Sequence, residues 1–523
     1  MSGRHPRRRK SPAPAAATGS AAGNRTVLLT GATGNWGRAT LRAFREHPDI
    51  VVRAFVLPTR ADRAALQEFH DMENLEIVEG DLTRFDDVRA AVTGSDVVLH
   101  LAAVVSPRAD ARPEEARRVN VGSMRNIVRA VHVQPDPARV AVVGVGSVAQ
   151  SGDRPEPVHW GRVGDPLRPS LFDEYAQSKI VAERLLVDSG LPRWAWLRQT
   201  GILHSGVLAV RDLIMTHVPL SGVMEWVSAE DSARLLVAVC AAQVPEEFWG
   251  GIHNVGGGAA WRLTNWKMLQ ALAAGMGADD IRGWYDRNWF ALQNFHGQWF
   301  TDSDRLEALV PFRRDTVPEA LARVWAGAPA AARLAGTVPA WLVKHLVMRP
   351  LVRRHRGTMH AVRTGDEAAL HAHFGGLDAW QRIGGWDAFT PPAPSRTPKL
   401  LDHGYDEGKP RRRIGRRDLR QAAVFRGGSL LTGDVRTGDL GTPLVWRCGF
   451  GHVFAASPRL VLLGGHWCPE CVADPASYPA QAAHNRFLAQ IVDRSSAAVR
   501  PDAVSAADAV AGPDAVSDVD AVA

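Results

Sequence analysis

The stretch Thr30-Gly31-Ala32-Thr33-Gly34-Asn35-Trp36-Gly37 decides the fold that we predict for this chain of 523 residues. It follows the apolar run Val27-Leu28-Leu29 and precedes a pattern with helical spacing. A strand, a tight glycine turn and a helix start present backbone N–H groups and the positive helix end to a dinucleotide pyrophosphate. Gly31 permits the turn, Gly34 lets the backbone approach the phosphates, and Gly37 allows the helix to pack on the strand.

Apolar runs alternate with helical patterns behind this glycine turn. The further predicted strands occupy residues 51–57, 75–78, 97–101, 140–145 and 194–197, and the predicted helices occupy 35–46, 61–70, 84–92, 113–133, 172–189 and 229–242. Continuous apolar strands that alternate with helices indicate a parallel sheet covered on both faces. The predicted fold class is therefore α/β, with a Rossmann-type doubly wound parallel sheet.

Ser147 and the segment Tyr175-Ala176-Gln177-Ser178-Lys179 carry the predicted chemistry. Tyr175 and Lys179 lie four positions apart in a helical pattern, so they emerge on one helix face. A tyrosine with its usual pKa of about 10 is a poor base, but an adjacent ammonium favours the phenolate. We predict that Tyr175 exchanges a proton with the substrate, that Lys179 supplies the charge, and that Ser147 hydrogen-bonds the substrate oxygen. The alternative is a half-buried tyrosine and a solvated lysine on an amphipathic helix.

Residues 25–330 resemble the extended or atypical short-chain dehydrogenase/reductase superfamily, which includes sugar-nucleotide epimerases and 3β-hydroxysteroid dehydrogenase-like enzymes. The glycine turn has the T-G-x-x-G-x-x-G spacing of this superfamily. Further motifs that carry the resemblance are Gly80-Asp81-Leu82, His100-Leu101-Ala102-Ala103, Val119-Asn120-Val121 and Gly146-Ser147-Val148-Ala149-Gln150-Ser151-Gly152. The last stretch departs from the S-S-x-x-x-Y-G pattern at Gly146 and Ser151.

This resemblance implies residue roles around a nicotinamide dinucleotide. Asp81 would contact adenine, the backbone at Ala102 and Ala103 would line the cofactor, and Lys179 would hold the nicotinamide ribose. The predicted cofactor-binding residues are Gly31, Thr33, Gly34, Asn35, Trp36, Gly37, Arg60, Asp81, Leu82, Ala102, Ala103, Tyr175 and Lys179.

The choice between NAD and NADP depends on the end of the second predicted strand. NAD-specific members place an acidic residue there for the ribose 2′-hydroxyl, whereas this chain has Leu57. Arg60 or Arg63 could bind a 2′-phosphate, because arginine binds phosphate in a bidentate manner. We favour NADP over NAD, and solvated arginines are the alternative.

The predicted substrate is a ketone or secondary alcohol on a largely apolar small molecule. Sugar-nucleotide enzymes carry an asparagine where this chain has Gly201, and an arginine for the diphosphate where it has Met224. The 4,6-dehydratases require an acidic pair where Val148 and Ala149 follow the serine. Apolar residues nearby suggest an apolar substrate wall, namely Ile202, Leu203, Val207, Leu208, Leu213, Ile214, Met215, Val223 and Trp226. A nucleotide-sugar epimerase remains the alternative.

A second pattern, near the C-terminus, predicts a structural zinc site of the Cys₃His type. The proposed ligands are Cys448, His452, Cys468 and Cys471. Their spacing suits tetrahedral zinc and resembles a zinc ribbon, and free thiols packed in a core are the alternative. His403 and His466 are spare ligand candidates, and Cys240 is predicted to be a buried small apolar residue.

These patterns divide the chain into five parts. We predict a disordered basic N-terminus (1–24), an NAD(P)-binding domain (25–330), a helical connector with a Pro-rich linker (331–400), a zinc-ribbon-like module (401–490) and a disordered tail (491–523). The connector stretch 341–354 is amphipathic and basic, and we expect it to dock on the enzyme domain rather than on a membrane.

Composition indicates a cytoplasmic protein. The hydrophobic content of 46% suffices for more than one core, and no run of eighteen or more apolar residues predicts a transmembrane helix. The net charge of +7 comes partly from clusters such as Arg411-Arg412-Arg413, which are more often solvated than bound to nucleic acid. A homodimer is left open.

Two classes of function follow from the sequence. The first is an NAD(P)-dependent oxidoreductase with an accessory zinc module. The second is a regulatory protein that senses the dinucleotide and uses the ribbon to bind nucleic acid or protein. The presence of Ser147, Tyr175 and Lys179 together favours the first.

Overall fold

A seven-stranded parallel sheet organises the first half of the chain. The protein is described by a computed structural model over residues 25–209, 214–241, 244–278 and 280–497. The predicted disordered N-terminus, 1–24, and the tail from 498 onward lie outside the described residues.

The strands and helices are numbered in chain order. The strands are β1 Arg25–Thr30, β2 Ile50–Val56, β3 Leu75–Glu79, β4 Val97–His100, β5 Ala141–Ser147, β6 Trp160–Gly161, β7 Trp194–Gln199, β8 Ile202–Leu203, β9 Val223–Glu225, β10 Val227–Ser228, β11 Gly251–Val255, β12 Arg262–Thr264, β13 Trp299–Phe300, β14 Ser429–Leu430, β15 Leu444–Arg447 and β16 Val453–Ala456. The helices are α1 Asn35–Phe44, α2 Arg60–Leu66, α3 Phe85–Val92, α4 Arg108–Ala111, α5 Pro113–Ala116, α6 Gly122–His132, α7 Glu174–Val187, α8 Ile214–His217, α9 Ala229–Ala241, α10 Asn265–Ala274, α11 Ser303–Leu309, α12 Val317–Ala326, α13 Ala330–Arg333, α14 Ala340–Leu342, α15 Arg349–Val352, α16 Thr358–Thr364, α17 Glu367–Phe374, α18 Leu377–Gln381, α19 Arg416–Phe425, α20 Pro469–Val472, α21 Tyr478–Ala482 and α22 Arg486–Ala497.

The main sheet has the strand order β11-β7-β5-β4-β1-β2-β3, and all neighbouring strands are parallel. Strand order reverses beside β1, which is where doubly wound sheets bind a dinucleotide. Helices α3, α6 and α7 pack on one face, and α1, α9 and α11 pack on the other. The predicted α/β class with a doubly wound parallel sheet is confirmed.

The C-terminal module packs directly on the enzyme domain. Its antiparallel sheet β14-β15-β16 contributes the buried Trp446 and Phe454 to the same apolar core as Leu186 of α7 and Trp196 of β7. A second cluster joins the connector to the enzyme domain, because Val343 is buried with Tyr285. Part of the connector therefore packs on the enzyme domain, as expected.

Several predicted element bounds need correction. The helix predicted over 113–133 is divided into α5, a π-helical segment Arg117–Val121 and α6. The tail boundary at 490 is too early, because α22 continues to Ala497 and buries Ile491 against Tyr478. Among the described residues, no helix is both long enough and apolar enough to span a bilayer.

Candidate active site

The glycine turn is shaped for close backbone approach. Gly31 has φ +72°, and a Cβ there would lie 2.7 Å from the backbone N of Ala102. A Cβ on Gly37 would lie 2.1 Å from the carbonyl oxygen of Gly31. Helix α1 begins directly after Gly34. The turn and the helix end therefore fit the pyrophosphate of a dinucleotide.

A buried polar chain fixes the floor of the turn. The Thr30 hydroxyl lies 2.8 Å from Nδ1 of His100 and accepts a hydrogen bond from the backbone of Ala102 at 3.2 Å. Nε2 of His100 lies 3.0 Å from the Ser123 hydroxyl. Burial and the charge of Lys179 lower the pKa of His100 to about 3, so this imidazole is neutral and connects the ends of β1 and β4.

The three predicted catalytic side chains meet at the carboxyl end of β5. Ser147 is its last residue, and its side chain lies near enough to the Tyr175 phenol to affect the pKa of that phenol. The Lys179 Nζ lies 5.8 Å from the centre of the Tyr175 ring and donates to the carbonyl oxygen of Val145 at 2.8 Å. Geometry thus brings together a hydroxyl, a phenol and an ammonium, which could orient an oxygen and exchange a proton.

The pKa values of Tyr175 and Lys179 differ in part from the expectation. Burial raises the pKa of Tyr175 above its usual value, although the hydrogen bond from Ser147 opposes the rise. Burial lowers the pKa of Lys179 to about 8. In the protein alone the pKa of Tyr175 is thus raised and not lowered as expected, because desolvation is the largest influence on it and the charge of Asp173 adds to the rise.

Asn120 ties the cofactor-side loop to α7. Its side-chain amide donates to Ser178 Oγ at 2.8 Å and to the carbonyl oxygen of Val104 at 2.9 Å, while its Oδ1 accepts from the Val104 backbone at 2.7 Å. The Ser178 hydroxyl donates to the carbonyl oxygen of Tyr175 at 2.7 Å. Asn120 therefore helps to position the helix that carries Tyr175.

The region beyond β2 holds charges of both signs. Arg60 is exposed in the first turn of α2 and makes no hydrogen bond or ion pair with another described residue. Arg63 is bound to Glu79, with Nε 2.7 Å from Oε1. Asp62, which sequence reasoning missed as a site residue, accepts from the Thr33 hydroxyl of the glycine turn at 2.8 Å.

The predicted adenine contact lies at the end of β3. Asp81 Oδ1 accepts from the backbone and the hydroxyl of Thr83, both at 2.8 Å. The carbonyl oxygen of Leu82 accepts from the Asn126 amide at 2.9 Å. These bonds hold the β3–α3 turn at the same sheet edge as the glycine turn.

Apolar side chains surround the position beside Ser147. Val148, Met224 and Phe300 are buried in one cluster, and Trp226 packs against it. A Cβ on Gly201 would lie 2.4 Å from Met224 Sδ and 2.9 Å from the Trp226 ring. The position where sugar-nucleotide enzymes carry asparagine is thus filled by these apolar side chains.

The four predicted zinc ligands form a cluster. Their ligand atoms all lie within 4.8 Å of one another. His452 Nδ1 lies 3.4 Å from Cys448 Sγ and 3.5 Å from both Cys468 Sγ and Cys471 Sγ. Tetrahedral zinc with Zn–S of about 2.3 Å and Zn–N of about 2.0 Å requires S–N separations of about 3.5 Å. The geometry fits zinc, and Glu470 lies 3.6 Å from His452 Nε2 as an outer partner.

The two spare histidines serve elsewhere. His403 Nε2 lies 2.9 Å from Asp165 Oδ1, and His466 Nε2 lies 2.8 Å from Glu183 Oε1. Neither belongs to the zinc cluster. Cys240 is fully buried, as predicted, and burial raises its pKa to about 12.

A buried hydrogen-bond network connects the C-terminal module to Ser147. Arg198 binds Glu183 through two bonds of 3.0 and 2.6 Å, and Gln150 Nε2 donates to Glu183 Oε2 at 2.7 Å. Oε1 of the same Gln150 accepts from the Ser147 backbone at 3.0 Å. His466, two positions before the ligand Cys468, completes the network. Sequence reasoning missed it, because its members are distant in the chain.

One family of known proteins matches the part of the chain that holds Ser147, Tyr175 and Lys179. Residues 27–190 match the model of the NAD dependent epimerase/dehydratase family. Human 3 beta-hydroxysteroid dehydrogenase type 7 is 30% identical over 153 residues, which are 28% of this chain and 41% of that protein. L-arabinose 1-dehydrogenase (NAD(P)(+)) of Haloferax volcanii is 30% identical over 168 residues, 30% of this chain and 59% of that protein. The matches therefore span less than two thirds of these relatives.

Two solved structures are similar to this chain. The DesIV dTDP-glucose 4,6-dehydratase of Streptomyces venezuelae, with NAD and TYD bound, is 22% identical with a TM-score of 0.46 and covers 58% of this chain and 96% of its own. The UDP-glucuronic acid 4-epimerase of Bacillus cereus with NAD is 16% identical with a TM-score of 0.45. That match covers 60% of this chain and 99% of the epimerase chain.

Proposed function

We propose that this protein is an NAD(P)-dependent oxidoreductase that interconverts a ketone and a secondary alcohol on a largely apolar small molecule. The observation that carries the proposal is the meeting of Ser147, Tyr175 and Lys179 beside a glycine turn with the geometry of a dinucleotide site. A regulatory dinucleotide sensor has no need of all three side chains.

Each side chain has a role that follows from its contacts. The Ser147 hydroxyl holds the substrate oxygen beside Tyr175. In the reductive direction the Tyr175 hydroxyl gives its proton to that oxygen, and in the oxidative direction it takes the proton back. Lys179 holds positive charge at the site and orients the cofactor ribose. The nicotinamide cofactor, when bound, supplies or accepts the hydride.

The substrate class rests on the apolar surroundings of Ser147. Met224 and Trp226 fill the space beside Gly201, so a diphosphate has no polar handle at these positions. The name of the human relative, a hydroxysteroid dehydrogenase, supports a secondary alcohol on an apolar skeleton. A nucleotide-sugar epimerase would use the same tyrosine and lysine, but it would need a polar binding site for the nucleotide.

For the cofactor we propose that both NAD and NADP are accepted, with NADP favoured. Arg60 is free of carboxylate partners among the described residues and could bind a 2′-phosphate. Asp62 lies beside the glycine turn and opposes that phosphate by charge. Arg63 would first have to leave Glu79.

The zinc ion is proposed to be structural. Four protein ligands would complete a tetrahedral shell, which leaves no position for a substrate. The module would then be fixed against α7, because Gln177 Nε2 donates to the carbonyl oxygen of Val472, next to Cys471, at 2.9 Å.

A carbonyl screen tests this function. The purified chain is incubated with NADH or NADPH and with ketones of graded polarity, and nicotinamide absorbance is followed. We expect oxidation of the cofactor with apolar cyclic ketones. A second arm with nucleotide sugars monitors epimer formation by chromatography, and epimerisation without net change in nicotinamide absorbance would replace the proposal.

A further inference from the structure

The connector helix has one face on the protein and one face in solvent. Residues 340–352 are helical through α14, a π-helical segment Val343–Met348 and α15. Val343 and Val352 are buried in the core that also contains Tyr285. The Lys344 ammonium binds Asp286 at 2.6 Å. These contacts hold the helix in a defined orientation.

The connector also exposes large apolar side chains, both on this helix and just before it. We call the following residues the apolar patch, with exposed fractions of 60% for Leu334, 40% for Val338, 62% for Trp341, 70% for Leu346 and 49% for Val347. Single exposed apolar residues are ordinary, but five of them lie within residues 334–347, and concentrated apolar exposure marks an interaction surface. A tryptophan within such a group is typical of the membrane–water interface.

The connector segment that carries the apolar patch has only positive charges in its own sequence. The sequence from 320 to 365 contains neither aspartate nor glutamate. Arg349, Arg353 and Arg354 are exposed in or directly after α15, whereas Lys344 is neutralised by Asp286. An apolar face flanked by exposed arginines complements a lipid surface that carries negative headgroups.

We propose that the apolar patch binds the surface of an anionic lipid bilayer, with Trp341, Leu346 and Val347 inserted at the headgroup level and the arginines on the phosphates. The helix lies on the bilayer and does not cross it. This surface is built from the connector, so the binding is independent of the reaction proposed above.

The segment after α15 contacts the loop that follows β4. Arg356 donates to the carbonyl oxygen of Pro107 at 3.4 Å, in the loop after β4. Val105 and Phe172 are exposed by 53% and 55%, and Phe172 precedes Tyr175 by three positions. An apolar substrate dissolved in the bilayer would meet these exposed apolar side chains close to Tyr175 in the chain, and this consequence alone rests on the proposed function.

Vesicle sedimentation tests the surface directly. The full chain is spun with vesicles of phosphatidylcholine alone or mixed equally with phosphatidylglycerol. We expect binding to the anionic vesicles that weakens with added salt, and Trp341→Ser with Leu346→Ser should weaken it about tenfold or more, because buried apolar area is lost. Val424→Ser is the matched control, since Val424 on α19 is also 70% exposed but lies outside the patch.

Charge reversal provides a second, independent variant. Arg353→Glu with Arg354→Glu alters only exposed side chains and should also abolish selectivity for anionic vesicles. Absence of vesicle binding by the wild-type chain, or equal loss in the Val424→Ser control, would overturn the proposal. So would a dimer in light scattering that Leu346→Ser converts to a monomer, because the patch would then bind a second copy of the chain.

Discussion

At the scale of single residues, Lys179 makes the site sensitive to alkaline pH. Burial lowers its pKa to about 8 from its usual 10.5, so the ammonium loses its proton as pH rises through about 8. Cofactor affinity should then fall about tenfold between pH 7 and 9, as the charged fraction falls. Titration of tryptophan fluorescence with NADPH at each pH measures this. The Lys179→Met variant should bind NADPH weakly at both pH values. An unchanged affinity of the wild type for NADPH at pH 9 would contradict the role of the Lys179 charge in cofactor binding.

Arg60 and Asp62 should set cofactor preference in opposite directions. Arg60→Ala should weaken NADPH binding by about tenfold and leave NADH binding nearly unchanged, because only NADPH has the 2′-phosphate. Asp62→Ala should strengthen NADPH relative to NADH by removing a like charge. The ratio of the two dissociation constants is the measurement. Arg413→Ala is an exposed arginine control in the C-terminal module, and an unchanged ratio in both test variants would assign neither residue to selectivity.

At the scale of secondary-structure elements, Glu183 of α7 joins β5, β7 and the zinc module. Burial opposes its charge, but Arg198 and His466 hold its pKa at about 2. Glu183→Gln leaves the Arg198 charge buried without a carboxylate and should lower the free energy of unfolding by about 3 kcal/mol. Denaturant titration measures the loss. As a control, Glu76→Gln breaks an exposed ion pair with Arg53 and should lower the free energy of unfolding by about 0.5 kcal/mol or less. If both variants lost the same free energy of unfolding, the buried network around Glu183 would not stabilise the fold as argued.

The sequence predicts some elements well and others poorly for physical reasons. β2 and β4 consist mostly of apolar residues, with Arg53 and His100 as the exceptions. The glycine turn has local constraints, so all three are readable from neighbouring residues. β11 is missed because His253 and Asn254 interrupt its apolar pattern, and the sheet edge tolerates them.

The residues of the candidate site are likewise predictable only where the signal lies in neighbouring positions of the sequence. Ser147, Tyr175 and Lys179 are predictable from local spacing, and the structure brings them together. Asp62 and Glu183 could not be assigned, because their partners are set by tertiary packing. A Cβ on Gly146 would lie 2.2 Å from Gln150 Oε1, which gives a physical reason for this departure from the superfamily pattern.

At the scale of the whole molecule, the C-terminal module and the enzyme domain share one core. Cys468→Ser should release the metal, which elemental analysis should find at about one ion per chain in the wild type, and should loosen residues 401–497. The loss of packing should also extend to α7, because Leu186 packs in the same core as Trp446.

Hydrogen exchange followed by mass spectrometry reports this coupling peptide by peptide. Cys240→Ser is the control for thiol removal, because Cys240 lies in the core on the other face of the sheet and should leave the zinc content unchanged. If the wild-type protein contained no zinc and its C-terminal module were still protected from hydrogen exchange, the metal assignment would be contradicted. Protection of α7 retained after loss of the metal would contradict the coupling.

The central claim is that Tyr175 exchanges the proton in a nicotinamide-dependent reaction, and turnover of Tyr175→Phe tests it most directly. Turnover on a ketone identified by the carbonyl screen should fall by about a hundredfold or more, while NADPH affinity stays close to that of the wild type. Tyr285→Phe, which removes a phenol hydroxyl in a different core, should retain turnover. Near-normal turnover of Tyr175→Phe would contradict the account.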